Sequence, residues 1–348
     1  MKITTHKMTN DNIGAGMQII TPISNVVQAG SYWYNNIQQG FASALQLHKG
    51  RIYYYMTGFE GGNVSFTDSN RSCLITDKMY GHTQSVAQED TLFDHHTWIG
   101  SGPTTYKTEN ENWGLDVICY DDNQAPLVIN KPNDKIRIYT NWQEALNDCL
   151  YRYLIIYDEY KLTRIEFTLR DYYLAVMLFG KGNNRSITII ALYNMDTLKS
   201  LTPDSHKPYF YDMTYAHPDF VYSISDKEWH DIQAKLPVEP LHKVPSIQGF
   251  TIRNNMIYLS SQYGPSGVIS GHARFIFTWD ILNTGINSKS NFDIYDFSAT
   301  TDMDQLGNIT EFENLFWNDN TLMLHVAHHK DLYPHYPTIN NYIYNIYL

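Results

Sequence analysis

The side chains most able to do chemistry are polar residues that each precede a strand-like segment rich in Tyr, Trp, Leu and Ile. These opener residues are Gln39, Gln84, Glu166, Gln248 and the Glu311/Glu313 pair. Amides and carboxylates can hydrogen-bond sugar hydroxyls, so a ring of them at a channel mouth would bind carbohydrate. Alternatively, each opener bonds the backbone of a neighbouring unit, because buried polar groups must be paired. Equivalent positions in every unit favour this structural role.

Carboxylates could also catalyse glycoside hydrolysis, which needs an acid and a base or nucleophile roughly 5 to 10 Å apart. The available candidates are Asp116, Glu166, Asp171, Glu311 and Glu313. The chain has 36 acidic residues, and sequence spacing alone does not place any two of them together. Hydrolysis is therefore the alternative hypothesis, and the main hypothesis assigns no catalytic residue.

Ligand-binding side chains are expected in polar loops, where function concentrates. Trp113 and Trp317 flank turn-like polar segments, ENENWG and FWNDN, where an indole can stack on a sugar beside an Asn or Asp. His82, Thr83 and Gln84 follow a glycine turn and either contact a ligand or form a hydrogen-bond network at a strand start. The predicted ligand-binding set is His82, Thr83, Gln84, Trp113, Gln248, Glu313, Trp317 and His329.

Metal and cofactor motifs are missing from the sequence. On a strand, His325 and His329 would point to one face and His328 to the other, and HExxH is absent. The adjacent His95 and His96 alternate in the same way. The chain contains neither a GxSxG nucleophile elbow nor the lysine of a P-loop. We therefore expect no metal and no cofactor.

The elements that must position these residues form an irregular repeat of strands. Its markers, at intervals of 44, 78, 82 and 66 residues, are Tyr54, Trp98, Val176, Tyr258 and Leu324. An irregular strand repeat of this size is typical of blades arranged around an axis. The sequence therefore predicts an all-β fold, a five-bladed β-propeller-like single domain spanning residues 1–348.

Two insertions interrupt the predicted repeat, at about residues 130–161 and 196–245. The first contains a helix in TNWQEALNDCLYRYL, with Thr140 and Gln143 as a capping box. The second lacks periodicity and is interpreted as long loops with one helical turn near residues 226–234. We also expect Met17–Thr21 or Val26–Gln28 to complete the last blade, because an unpaired edge strand is an aggregation hazard.

Charge and hydropathy exclude several kinds of partner. The net charge is −11, and Lys and Arg never cluster beyond two neighbours, whereas a nucleic-acid surface needs concentrated positive charge. No apolar run approaches the roughly 18 residues of a membrane helix, and no basic amphipathic helix is visible. We therefore expect neither nucleic-acid binding nor membrane insertion. Three cysteines without a CxxC predict buried thiols rather than a disulfide framework.

An ordered set of short motifs resembles the helveticin J family of large bacteriocins. The motifs are ALQLHKG at 44–50, GHTQ at 81–84, ALYNMDTL at 191–198, SIQGF with MIYLSSQ at 246–262, and LHVAHH at 324–329. Their order and rough spacing match from about Val26 to the end of the chain. The insertions match poorly.

The resemblance implies an extracellular protein of lactic acid bacteria that kills related bacteria or acts in adhesion and aggregation. It supplies no catalytic residue. Family export does not always use an evident signal, which agrees with a start, MKITTHKMTN, that lacks an apolar segment. We therefore expect a secreted or cell-surface protein that binds a cell-surface glycan or cell-wall polysaccharide without catalysis. The alternative is a five-bladed-propeller glycosidase acting on cell-wall glycans or exopolysaccharide.

Overall fold

The computed structural model describes most of the second half of the chain and selected strands of the first half. The described residues are 2–19, 26–29, 32–35, 41–48, 51–57, 63–67, 71–75, 85–90, 95–101, 116–121, 127–128, 136–183, 185–206, 208–236, 246–262, 273–281, 291–305, 308–330 and 338–348. Only the backbone is described at 19, throughout 26–75, and at 90, 95, 101, 121, 127–128, 246, 262, 308, 329–330 and 338–339.

Strands make up most of the described residues. In chain order they are β1 Lys2–Lys7, β2 Met17–Ile19, β3 Val26–Ala29, β4 Tyr32–Asn35, β5 Phe41–His48, β6 Arg51–Thr57, β7 Asn63–Thr67, β8 Arg71–Ile75, β9 Val86–Asp90, β10 His95–Ser101, β11 Asp116–Asp121, β12 Leu127–Val128, β13 Ile136–Thr140, β14 Lys161–Arg170, β15 Tyr173–Gly182, β16 Arg185–Asn194, β17 Phe210–Asp212, β18 Phe220–Ser225, β19 Ser246–Arg253, β20 Met256–Gln262, β21 Arg274–Asp280, β22 Asn291–Asp296, β23 Asn308–Asn318, β24 Thr321–Lys330 and β25 Thr338–Ile346. The helices are α1 Trp142–Asp148, α2 Met195–Ser200 and α3 Asp226–Gln233, with a π-helix at Cys149–Leu154 and 3-10 turns at Asn10–Asn12 and Met213–Tyr215.

The chain divides into two compact units. The terminal unit comprises Met1–Pro22, Gln39–Ala42 and Asp226–Leu348, and the central unit comprises Ile23–Gln38 and Ser43–Ser225. Each unit consists mainly of antiparallel sheets whose consecutive strands are neighbours, and each has its own apolar core.

The terminal unit contains two sheets, and the N-terminal segment contributes a strand to both. One sheet has the order β1-β22-β21-β20-β19, with β1 parallel to β22 at the edge. The other has the order β2-β25-β24-β23, in which Met17 lies opposite Ile343 on antiparallel β25. Of the two segments expected to complete the last blade, Met17–Ile19 therefore supplies its fourth strand. Val26–Ala29 instead forms a hairpin with β4 in the central unit.

The central unit contains three larger sheets. Their strand orders are β17-β13-β11-β10-β9, β12-β8-β7-β6-β5 and β14-β15-β16-β18. In the first two sheets a short parallel strand, β17 or β12, extends a four-stranded antiparallel core at the edge. Strands β15 and β16 are apolar and buried on both faces along most of their length. Helix α1 packs against one of these faces, where the Trp142 ring meets Tyr193 edge-on.

Four-stranded antiparallel sheets in chain order are the blades of a propeller, so the all-β propeller arrangement is confirmed. The predicted count of five blades is not confirmed. Four blades are described with their packed side chains, two in each unit, whereas the β5–β8 sheet is described in its backbone alone.

The predicted capping box of the first insertion is wrong. Thr140 is the last residue of β13, and Asn141, in the left-handed region at φ 63°, precedes α1 without a side-chain cap. Gln143 bonds the returning chain instead, donating to Tyr160 O at 2.9 Å and accepting from Leu162 N at 2.7 Å. The Gln143 amide is therefore already hydrogen-bonded to Tyr160 and Leu162 and does not cap the N-terminus of α1.

The interpretation of residues 196–245 as long loops is wrong for residues 210–212 and 220–225, which form strands β17 and β18. Phe220–Ser225 is a regular strand that pairs antiparallel with β16 and completes its blade. The expected single helical turn is the two-turn helix α3, with Asp226 and Glu228 in its first turn and Trp229 and Ile232 buried. Acidic residues near a helix N-terminus stabilise it, and the i, i+3 apolar pair faces the core.

Candidate functional site

The predicted opener residue Glu166 lies in the middle of β14, the strand before β15, and links two blades of the central unit. It is fully buried and accepts hydrogen bonds from Arg164 Nε at 2.7 Å and from the Ser85 hydroxyl. Ser85 lies immediately before β9, and its oxygen accepts a hydrogen bond from Phe167 N at 3.0 Å. These hydrogen bonds satisfy the buried carboxylate. They agree with the hypothesis that an opener residue bonds a neighbouring blade rather than a ligand.

The openers of the terminal unit make similar contacts. Gln248 donates to Glu311 Oε1 at 2.9 Å, and Ser260 donates to the backbone oxygen of Glu313 at 2.7 Å. Gln248 is 4% exposed and Glu313 1% exposed. A Cβ added at Gly249 would collide with the backbone of β23. The close approach of β19 and β23 therefore places both predicted ligand residues inside the protein.

The described carboxylates have individual environments. Glu166 forms an ion pair with Arg164, and Asp171 lies in the exposed turn between β14 and β15 at φ 49°. Asp116, at the start of β11, differs because burial raises its pKa to about 8. A carboxyl with this pKa is protonated at neutral pH.

Trp317 lies at the end of β23 in a polar and aromatic cluster, as its sequence context indicates. The guanidinium of Arg253 lies 4.5 Å from the centre of its ring, and the ring of Tyr258 meets it edge-on at 5.2 Å. Arg253 also donates to Asp319 O and Asn320 Oδ1. The Trp317 cluster therefore connects the β19–β20 turn to the β23–β24 turn, and its indole is half-buried.

The remaining predicted ligand residues are not tested by the structure. His82, Thr83, Gln84 and Trp113 lie outside the described residues, and only the backbone of His329 is described. Two histidines of the same C-terminal motif do have structural contacts. Buried His325 hydrogen-bonds Asn341 Oδ1 at 2.9 Å, and buried His328 donates to Met303 O at 2.8 Å.

A cleft that no sequence motif indicates lies beside the first insertion. Its volume is about 580 Å³, and its lining residues come from three separate segments. They are Gln143, Asn147, Tyr151, Glu159, Tyr160, Lys161, Lys181, Gly182 and Asn183. Amides, both charge signs and two tyrosines therefore converge in one place. We call this the insertion cleft.

Helical spacing explains one wall of the insertion cleft. Gln143, Asn147 and Tyr151 are four residues apart and share a helix face. Gln143 donates to Asn147 Oδ1 at 3.2 Å as well as to the backbone of Tyr160, so the amides are held in place. The opposite face of the helix, with Trp142 and residues of the same turn, is buried in the core.

An exposed aromatic pair borders the insertion cleft. The rings of Tyr151 and Tyr157 stack with centroids 6.1 Å apart and planes 16° apart, and the two residues are 42% and 76% exposed. Between them, Ile155 is 65% exposed and ends the π-helix in the left-handed region at φ 56°. π-helical turns are frequent at functional sites, and a β-branched residue at positive φ is strained.

A group of metal-ligating side chains occurs on the β9–β10–β11 face of the central unit. One ligand atom each from Glu89, His96 and Cys119 lies within 4.8 Å of the others. The three residues come from three strands. The alternation of side chains along one strand could not reveal this group, because the register of neighbouring strands brings the three residues together.

The sheets define the chain as an all-β protein of the propeller class. Its sequence matches the model of the bacteriocin helveticin-J family over residues 12–348. The chain belongs to that family, as its ordered motifs indicate. No curated protein matches the sequence. Within the described residues, no helix has the length and apolar character needed to span a membrane.

Several solved structures are distantly similar. A GH43 β-1,3-galactosidase solved with galactodeoxynojirimycin has 9% identity and a TM-score of 0.47, covering 88% of each chain. A subtype N10 neuraminidase-like protein of A/little yellow-shouldered bat/Guatemala/060/2010 has 6% identity and a TM-score of 0.39, covering 88% of this chain and 95% of the other. An α-L-arabinofuranosidase from Clostridium thermocellum has 10% identity and a TM-score of 0.36, covering 87% and 88%.

Proposed function

We propose that this protein binds a cell-surface glycan or cell-wall polysaccharide without catalysis, at the insertion cleft. The observation that supports this most directly is the combination of amides fixed by hydrogen bonds with the exposed Tyr151–Tyr157 stack. In this role it acts as a helveticin-like bacteriocin or as an adhesion and aggregation factor, secreted or at the cell surface.

The chemistry of the insertion cleft suits a sugar ring. Amide and charged groups such as Asn147, Glu159 and Lys181 can donate to and accept from hydroxyls, while a tyrosine face can cover the apolar C–H face of the ring. The cleft volume of about 580 Å³ is within the range of roughly 300–1,000 Å³ that is typical of small-ligand sites. The charged lining residues are one glutamate, Glu159, and two lysines, Lys161 and Lys181. The lysines outnumber the glutamate, which favours a neutral or anionic glycan.

Other partners fit the molecule less well. A net charge of −11 disfavours nucleic acid, because phosphate binding needs concentrated positive charge. The acidic, helix-poor chain also disfavours membrane insertion as the mode of action. A single shallow site binds weakly, so several copies on one polymer would supply avidity.

We further propose that the β5–β8 sheet is a fifth blade.

Binding to isolated Gram-positive cell walls tests the proposal. At about 0.15 M salt, where exposed charges are largely screened, the protein should bind saturably, be competed by released wall glycan and form no product. Replacing Tyr151 and Tyr157 together by alanine should weaken binding at least about tenfold, since stacking contacts concentrate binding energy. The matched control is Tyr172→Ala, at an equally exposed tyrosine in the β14–β15 turn. Unchanged binding in the double variant would contradict the proposal.

Glycoside hydrolysis is the second candidate, and the raised pKa of Asp116 favours it. A carboxyl that stays protonated at neutral pH is suited to act as a general acid. This function requires reducing ends to appear when the protein is incubated with the same walls. Their release should be lost in Asp116→Asn and retained in the Tyr172→Ala control. Binding without released ends excludes hydrolysis of that polymer.

A further inference from the structure

We propose that Glu89, His96 and Cys119 form a binding site for a transition-metal ion of the zinc class, and that Lys199 occupies the site when no metal is bound. The ladder places all three ligands on one face. His96 lies opposite Glu89 on β9, and Trp98, two residues along the same strand, lies opposite Cys119 on β11. Residues two apart on a strand share a face. This inference is independent of the proposed glycan binding.

The ligand types suit zinc. Zn²⁺ is bound by thiolate sulfur, imidazole nitrogen and carboxylate oxygen at about 2.0–2.3 Å, and the three ligand atoms lie within 4.8 Å of one another. Side-chain rotation would have to bring these atoms closer together to form a tetrahedral site, with the fourth position left for water. Cys119 is 4% exposed and is not in a disulfide, so its sulfur can serve as a ligand.

The imidazole of His96 is the second observation that points to a ligand. Its Nδ1 is buried and faces Glu89 Oε2 at 3.5 Å, which is a long contact. That separation exceeds a good N–O hydrogen bond. A buried nitrogen with only a long contact is poorly satisfied, and metal coordination would satisfy it.

The ammonium group of Lys199 supplies the positive charge beside the Glu89 carboxylate in this structure. This ammonium lies 2.6 Å from Glu89 Oε1, while Trp98 Nε1 donates to Oε2 at 3.2 Å. The Lys199 side chain is 32% exposed and comes from the end of helix α2, so it can move into solvent. An ammonium and a dication compete for the same carboxylate, so metal binding should displace Lys199. Arg137 also interacts electrostatically with Cys119. Its positive charge repels a bound cation when Lys199 is also present, so displacement of Lys199 lowers the repulsion.

Cobalt(II) titration of the chelator-treated protein tests the site, because a thiolate–cobalt bond gives a near-ultraviolet charge-transfer band. We expect one equivalent to produce the band and one equivalent of Zn²⁺ to remove it. Cys119→Ser and His96→Gln should abolish the band. The control Cys149→Ser should keep it, since Cys149 is a buried thiol in the helical insertion. Absence of the band in the wild type, or its survival in Cys119→Ser, would overturn the site.

The Lys199→Gln variant tests the displacement step and does not depend on the folding of the cysteine variants. Removing the competing ammonium should tighten cobalt binding at least about tenfold, because a unit charge beside the carboxylate is lost. Lys227→Gln, at a solvent-exposed lysine in an ion pair of helix α3, is the matched control and should leave the affinity unchanged. Equal affinity in wild type and Lys199→Gln would overturn the role of Lys199.

Discussion

Ser85 and Glu166 are separated by 81 positions in the chain and are joined by a buried hydrogen bond between two blades. The Ser85 hydroxyl donates a hydrogen bond to the carboxylate and accepts a hydrogen bond from the backbone N–H of Phe167. Arg164 neutralises the same carboxylate. A polar residue in the first strand of one blade thus joins that blade to its neighbour.

Replacing Glu166 by glutamine should destabilise the protein by about 3 kcal/mol. The change removes one partner of a buried ion pair and leaves Arg164 uncompensated. Urea unfolding measures the loss. The control is Asp171→Asn in the exposed turn, which should change stability by less than about 0.5 kcal/mol. Equal stability of both variants would show that the carboxylate does not hold the blades together.

Replacing Ile155 by asparagine should stabilise the protein by about 1 kcal/mol. A β-branched side chain in the left-handed region is strained, whereas asparagine tolerates it, and Ile155 is 65% exposed. Thermal unfolding detects the gain. Ile155→Val keeps the branched Cβ and should gain nothing. Destabilisation by asparagine would mean that the isoleucine side chain makes contacts that outweigh the strain.

The N-terminal segment should contribute to the core of the terminal unit through Met8. This side chain is 5% exposed and packs in the cluster that contains Phe297 and Tyr344. Met8→Ala should cost about 2–3 kcal/mol in the free energy of unfolding, as for other large-to-small core changes. Met17→Ala is the matched control, since Met17 is 43% exposed in strand β2. A similar small effect in both variants would refute docking of the segment in solution.

Stability should fall as the pH rises from about 4 to about 8 through the contribution of Asp116. Its pKa is raised from 3.8 to about 8 by burial, so in this window the folded state binds a proton that the unfolded state has released. Asp116→Asn should remove this slope and be most stabilising, relative to wild type, at pH 8. Urea unfolding across the window measures it, with exposed Asp171→Asn as the control. An unchanged slope in Asp116→Asn would exclude the raised pKa.

Much of the blade structure follows from local sequence. Segments such as MIYLSSQ and ITIIALY are rich in β-branched and aromatic residues, and turn residues bound them, so their strands were predictable. The pairing of Met17–Ile19 with the C-terminal strand follows from the need to cover an open edge. The helix in the first insertion also follows from its apolar spacing.

The errors have physical reasons. Gln143 could not form a capping box because its amide is used by Tyr160 and Leu162, which are near it only after folding. Strand β18 was missed because it follows a Pro- and His-rich stretch that hides its alternation. Pairing with β16 determines its conformation. Contacts between residues distant in sequence therefore determine both the hydrogen bonds of Gln143 and the conformation of β18.

The candidate sites depend still more on the tertiary fold. The insertion cleft combines residues 143–151, 159–161 and 181–183, and no spacing rule joins these segments. The group of Glu89, His96 and Cys119 requires the register of three strands. By contrast, polar surroundings of Trp317 could be anticipated from its local sequence FWNDN. Its contacts with Arg253 and Tyr258 could not, because those residues come from the distant β19–β20 hairpin.

Hydrogen–deuterium exchange with and without solubilised cell-wall glycan tests the central claim most directly, because it locates the bound polymer on the protein. At saturating glycan, peptides covering residues 143–161 and 181–183 should be protected, and the Tyr151→Ala/Tyr157→Ala variant should lose this protection. Protection confined to the Trp317 cluster, or none at a glycan concentration that saturates binding, would contradict glycan binding at the insertion cleft.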